Sequence, residues 1–209
     1  MLENDKIIEE FKKSLSITVK SIGKSNSIEI NYVKETASIN NKIINLTEPS
    51  LKSLKNDLNY IRADADSLAL EIRFHKTDIH KRFLSNNDII NKIFEGIEKS
   101  RTEVKGSNIF KGIKNNIFNK HQADIESLDL KNKSKNEIIK AFRYVSYSEL
   151  IEKKLEGKYS FYEKIVKEKL GDKYKEFFFK LKNNISNQEK FAEELQHFFT
   201  ELNFYEDLK

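Results

Sequence analysis

Between Leu54 and Phe83 the apolar residues Leu54, Leu58, Ile61, Ala65, Leu68 and Ile72 recur at steps that alternate four and three. That spacing puts them on one face of a helix, and His75 and Ile79 extend the same face if the helix runs on. Arg62, Asp64, Asp66, Glu71 and Arg73 fill the other faces, with Asp66 four residues after Arg62 and within reach of a surface pair. The stretch ends in a dense polar run, His75-Lys76-Thr77-Asp78-Ile79-His80. A helix this amphipathic must be covered on its apolar side, so the rest of the chain is read as what covers it.

The flanking segments supply that cover. Leu2 to Ile22 carries a helical stripe of Ile7, Ile8, Phe11, Leu15, Val19 and Ile22, with Gly23 placed to end it. Ser27 to Leu46 alternates instead (Ile28, Ile30, Tyr32; then Ala37, Ile39; then Ile43, Ile44, Leu46), with Asn40-Asn41 as turn residues and Glu48-Pro49 as the exit. This predicts a small antiparallel β-meander, which must pack on a helix because so small a sheet cannot stand alone. Helices are expected from Asn86 to Lys105, Glu137 to Leu155, Ser160 to Leu170, Tyr174 to Ile185 and Asn187 to Leu202. His121 to Lys135 reads as a polar, exposed connection. A single proline in 209 residues favours helices over a fold of many turns. The expected fold is therefore mainly α with a small antiparallel β-meander near the N-terminus. Residues 1–122 would form an N-terminal unit and residues 123–209 a helical C-terminal subdomain, together one compact body. With 15 Phe, 8 Tyr and no Trp, much of the core has to be aromatic, and aromatics at helical spacing are read as core.

Arg101 falls on the apolar stripe of its helix, four residues after Ile97. A charge there needs a partner, because an unpaired buried charge is costly; Glu98 and Asp66 are the candidates. The chain has no cysteine, which excludes disulfides and thiolate metal sites. It has no G-x-x-x-x-G-K-S/T phosphate loop and no G-x-S-x-G elbow. Its net charge of +5 comes from lysines scattered among acids, which argues against a nucleic-acid patch. No apolar run is long enough for a membrane span, and no signal peptide is evident, so a cytoplasmic location is expected. The one metal-like constellation is His75, Asp78 and His80. Two histidines five apart turn about 500° on an ideal helix, which points their rings apart, and Lys76 stands where the zinc-peptidase pattern H-E-x-x-H has its glutamate. No metal site is therefore assigned. A polar helix end that could dock a partner, made by Arg73, His75, Asp78 and His80, is the better reading.

The pattern R-x-x-A-D-x-L-A-L-x-x-R-x-H, carried here by Arg62, Ala65, Asp66, Leu68, Ala69, Leu70, Arg73 and His75 with His80 following, resembles the N-terminal region of the CobT family. Further segments are similar in the same order: Phe11 to Ile22, the Leu46–Pro49 exit, F-E-x-I-E-x-x-R-x-E-x-x-G from Phe94 to Gly106, Gly112 with Asn116, and Asn187-Gln188 with Phe191-Ala192. The chain departs from the family at Asn108 and Ile109, where a basic pair is usual, and it lacks the Asp-x-Ser-x-Ser motif of the von Willebrand A-type domain that usually follows. The resemblance implies a non-ATPase subunit of ATP-dependent cobaltochelatase, supporting cobalt insertion into hydrogenobyrinic acid a,c-diamide in cobalamin biosynthesis. It implies an AAA+ ATPase subunit and a large porphyrinoid-binding subunit as partners. ATP, Mg and cobalt would be used by the complex, with no cofactor in this chain and no catalysis by it alone. An adaptor for an unrelated AAA+ ATPase and a degenerate zinc-peptidase-like domain are the alternative readings.

Overall fold

The computed structural model describes residues 3–40, 42–127, 135–202 and 204. It is mainly helical with one small sheet near the N-terminus. The first helix, α1, spans Glu3–Gly23, and strands β1 (Glu29–Val33), β2 (Ser38–Asn40) and β3 (Ile43–Thr47) follow. The sheet is not an antiparallel meander. Its order is β1-β3-β2, with β1 parallel to β3 and only β2 antiparallel to it. Alternation in the sequence fixes which residues face inward but not which strand sits in the middle. The central place goes to β3, whose Ile44 and Leu46 are almost completely buried, whereas Ile30, Tyr32 and Ile39 on the outer strands are only half-buried. Tyr32 also ties β1 to α1 by donating to the Lys12 carbonyl at 2.7 Å.

The long helix expected from Leu54 to Phe83 is three helices: α2 (Leu51–Asn56), α3 (Leu58–Phe74) and α4 (Thr77–Arg82). Ser50 and Ser53 form a reciprocal capping box that starts α2 just after Pro49. The break after Phe74 has a long-range cause. His75 turns to an extended conformation, φ −98° and ψ 129°. The Gln188 side chain then captures the Lys76 backbone on both sides, accepting from its N–H at 2.7 Å and donating to its carbonyl at 3.1 Å. No local signal in the sequence encodes a partner 112 residues away.

From Ala65 to Leu70 every residue of α3 is buried, because α1, β3, α5 (Asp88–Ser107) and α6 (Lys111–Ser127) surround it. Its small side chains, Ala63, Ala65, Ser67 and Ala69, let these neighbours come close. The segment read as an exposed connection from His121 is the end of α6 up to Ser127, with His121 and Ile125 buried; residues 128–134 lie outside the described residues. The rest is helical: α7 (Lys135–Ile151) packed along α5, then α8 (Tyr159–Leu170), a 3-10 turn at Gly171–Lys173, α9 (Tyr174–Asn183) and α10 (Gln188–Glu201). The core of this region is aromatic: Phe177 meets Phe178 and Phe198 edge-on, and Phe142 meets Phe204. Among the described residues no helix is long and apolar enough to cross a membrane.

α3 packs tightly on α5 at Gly106, where an added Cβ would overlap the fully buried Leu70 side chain. Gly106→Ala should therefore lower stability by about 1–3 kcal/mol, despite alanine's better helix propensity. Gly112, near the start of α6, has no atom within 4 Å of an added Cβ. There alanine should be neutral or stabilise by up to about 1 kcal/mol. Urea midpoints of the two variants check both signs.

Candidate functional site

Helix α5 carries the site. It buries three ionised side chains, Glu98, Arg101 and Glu103. Three residues apart, Glu98 and Arg101 share a face, and Glu103 falls on another. On the first face the Arg101 guanidinium grips Glu98 with two hydrogen bonds of 2.7 Å, from Nε and Nη2. It also donates to the carbonyl of Phe74 at 2.8 Å and to that of Ile185 at 3.1 Å. Arg101 thus joins the end of α3 to the loop between α9 and α10. His75 Nδ1 lies 2.9 Å from Glu98 Oε1. Burial pushes the Glu98 carboxyl up, but hydrogen bonds and charge from Arg101 and His75 reverse this and hold it below the usual carboxylate range. His80, on α4, stacks on Phe94 at 4.7 Å and meets His75 edge-on at 5.0 Å. Burial, with the neighbouring His75, lowers its pKa to about 4, so its ring is neutral near pH 7. Its Nδ1 is buried without a hydrogen-bond partner.

Above this network lies a groove of about 640 Å³, between the β2 edge on one side and α3, α4 and α5 on the other. His75, His80 and Glu98 line it together with the apolar Ile39, Leu68 and Ile72 and the carboxylates Glu71 and Glu95. A second depression of about 670 Å³, between the start of α1 and the Pro49 turn, is more open and touches none of the buried charges.

A second network occupies the other face of α5. Glu103 Oε1 accepts from Ser67 Oγ on α3 and from Arg143 Nη2 on α7, both at 2.6 Å, and Oε2 lies 2.9 Å from His121 Nε2 on α6. Burial opposes the Glu103 charge, yet Arg143 and the His121 contact hold its carboxyl well below the usual range. Burial keeps His121 below the usual histidine value, so the contact is a neutral imidazole donating to a carboxylate that Arg143 balances. Sequence reasoning missed this set. Glu103 lies off the apolar stripe that carries Arg101, so periodicity gives no sign of its burial. His121 does leave a signal, standing four residues after Ile117 and four before Ile125, but the segment from His121 onward reads as a connection.

The other sequence candidates are dispersed. Asp66, proposed as a partner for Arg101, instead accepts from Asn116 on α6 at 2.9 Å and is 4% exposed rather than paired on the surface. Arg73 leaves the groove: it donates to the Ile22 carbonyl at the end of α1 and lies over the rings of Phe74 and Phe110. Asp78 is exposed on α4. The four therefore do not form one polar face; His75 and His80 line the groove while Arg73 and Asp78 point elsewhere. Among the described residues no group of three or more His, Asp or Glu side chains is arranged to hold a metal ion.

A family model described as "Cobalamin biosynthesis protein CobT" matches residues 5–209. No curated protein and no solved structure matches the chain.

Two predictions follow from the geometry. Arg101→Ala leaves Glu98 and the carbonyls of Phe74 and Ile185 without their guanidinium, and should destabilise by roughly 3–5 kcal/mol in urea unfolding. The second concerns pH. Burial raises the Asp66 carboxyl to about 6 from its usual 3.8, against the opposing effects of Asn116 and Arg62. Its stabilising contribution is complete below pH 3.8 and is lost as pH rises through about 6. For His80 the sign is opposite: its contribution is complete above pH 6.5 and is lost as pH falls through about 4. Between about pH 5 and 6, above the range where Glu98 and Glu103 titrate, the two slopes oppose. Relative to the native chain, Asp66→Asn should make stability rise more steeply with pH in that window. His80→Gln should make it rise less steeply or fall. Urea midpoints across the window test both.

Proposed function

The chain belongs to the CobT family of cobalamin biosynthesis proteins, and from that premise we propose that it serves as a non-ATPase subunit of ATP-dependent cobaltochelatase. The reaction is insertion of cobalt into hydrogenobyrinic acid a,c-diamide in the cytoplasm. ATP and Mg are handled by an AAA+ partner, and the tetrapyrrole by a large porphyrinoid-binding subunit. Cobalt is cargo of the complex rather than a resident of this chain. The family match over residues 5–209 carries this reading. The lack of a phosphate loop in the sequence supports the division of labour, because the nucleotide then has to be bound elsewhere. The groove over the Glu98–Arg101 network supports a docking role. Its floor is locked by ion pairs and by hydrogen bonds to backbone, so it presents a partner with a surface already ordered, and little conformational entropy is lost on binding.

The test is reconstitution. Immobilised chain should retain both the AAA+ and the large subunit, and cobalt insertion should require all three proteins, whereas the chain alone should neither hydrolyse ATP nor insert cobalt. Cobalt insertion at full rate by the two partners without this chain would remove the proposal.

A further inference from the structure

Arg73, which turns away from the groove, belongs to a second surface. Its guanidinium carbon is 5.2 Å from the centroid of the Phe74 ring and 5.2 Å from that of Phe110. Lys105 Nζ is 4.9 Å from the same Phe74 ring and donates to the Ser186 carbonyl at 3.0 Å. Two cations thus share one half-buried aromatic ring, held in place by the ring and by main-chain carbonyls. Among the described residues neither Arg73 nor Lys105 has a carboxylate within ion-pair distance. Arg82, Arg101 and Arg143, by contrast, each have one.

The imbalance is written into the chain. Three segments meet at Phe74, and none contains an acid: residues 72–77 with Arg73 and Lys76, residues 104–123 with Lys105 and Lys111, and residues 177–188, which supply the Ser186 carbonyl. The acid whose charge acts on Lys105 is Glu98, already held by Arg101 and His75. Burial and the like charges of Arg101 and Lys76 keep the Lys105 ammonium below the usual lysine value, as an uncompensated positive field would. Ile109, which precedes Phe110 in the chain, is 53% exposed.

We propose that the Arg73–Phe74–Lys105–Phe110 face docks an acidic segment of a partner protein that also carries an apolar residue. Carboxylates would supply the missing counter-charges, and Ile109 with the ring edges would receive the apolar side chain. A nucleic acid suits the face less well, because it calls for a row of cations following a phosphate backbone, whereas here two half-buried cations are fixed on one ring and an exposed isoleucine precedes Phe110. The proposal deepens the docking role above by naming the chemistry of the bound segment. It can be tested without any chelatase subunit, so the two readings fail separately.

The probe is an Asp/Glu-rich peptide bearing one leucine, titrated into the full chain by calorimetry. A glutamine-substituted version, duplex DNA and anionic phospholipid vesicles run beside it. Expected is binding of the acidic peptide that weakens with salt and is lost in the glutamine version. Because Arg73 also holds the end of α1, the variants are Lys105→Gln, which keeps a donor for the Ser186 carbonyl, and Lys76→Gln. Together they should weaken binding roughly tenfold with the thermal melt unchanged. Lys164→Gln, at an exposed position of α8, should leave binding as it is. The proposal is overturned if the acidic peptide does not bind, if it binds the double variant as tightly as the native chain, or if DNA or vesicles bind more tightly than the peptide.

Discussion

Burying an ion obliges a protein to bring partners to it, and α5 buries three. Beyond the Glu98–Arg101 pair, which lies within the helix, the partners come from other elements. Arg101 takes carbonyls from the end of α3 and from the loop before α10. Glu103 takes a hydroxyl from α3, an imidazole from α6 and a guanidinium from α7. Apolar packing alone tolerates small slides and rotations, because one methyl contact substitutes for another. A bidentate ion pair in a dry interior does not, since a displaced partner leaves a desolvated charge behind. The two networks act as fixed points along one helix, and the aromatic and aliphatic core fills the space between them.

That division explains what could be read in advance. Helices whose apolar residues repeat at three and four were legible because the period itself states which side is covered, and α8, α9 and α10 lie within a residue or two of their expected bounds. Arg101 was legible as a buried charge because it stands on such a stripe, although the sequence left two carboxylates for it and only the fold assigns Glu98. What periodicity cannot express is a partner far along the chain. The end of α3 at Phe74 depends on Arg101, Ile185 and Gln188. The central place in the sheet goes to the strand whose inward residues, Ile44 and Leu46, are the most completely buried, and alternation does not rank the strands. His121 stands on the apolar stripe of α6 between Ile117 and Ile125, but its pairing with Glu103 is a contact between helices that the stripe does not name.

The groove and the cationic face lie on opposite flanks of the same short break between α3 and α4, residues 75 and 76. On one flank His75 reaches Glu98; on the other Arg73 and Lys105 rest on Phe74. Helical geometry makes this possible, because adjacent residues project about 100° apart and a chain leaving a helix can serve two surfaces within three residues.

The capture of Lys76 by Gln188 also sets an order of events during synthesis. A ribosome delivers the chain from its N-terminus, so α1, the sheet and α3 can emerge and begin to pack while residue 188 is still unmade. Until then the Lys76 backbone has only the local bond from its carbonyl to the His80 N–H, and the Arg101 bond to the Ile185 carbonyl is equally out of reach. The floor of the groove therefore cannot be finished until residues 185 and 188 have been made. A nascent chain cannot offer its partners a completed groove before its tenth helix has begun to form.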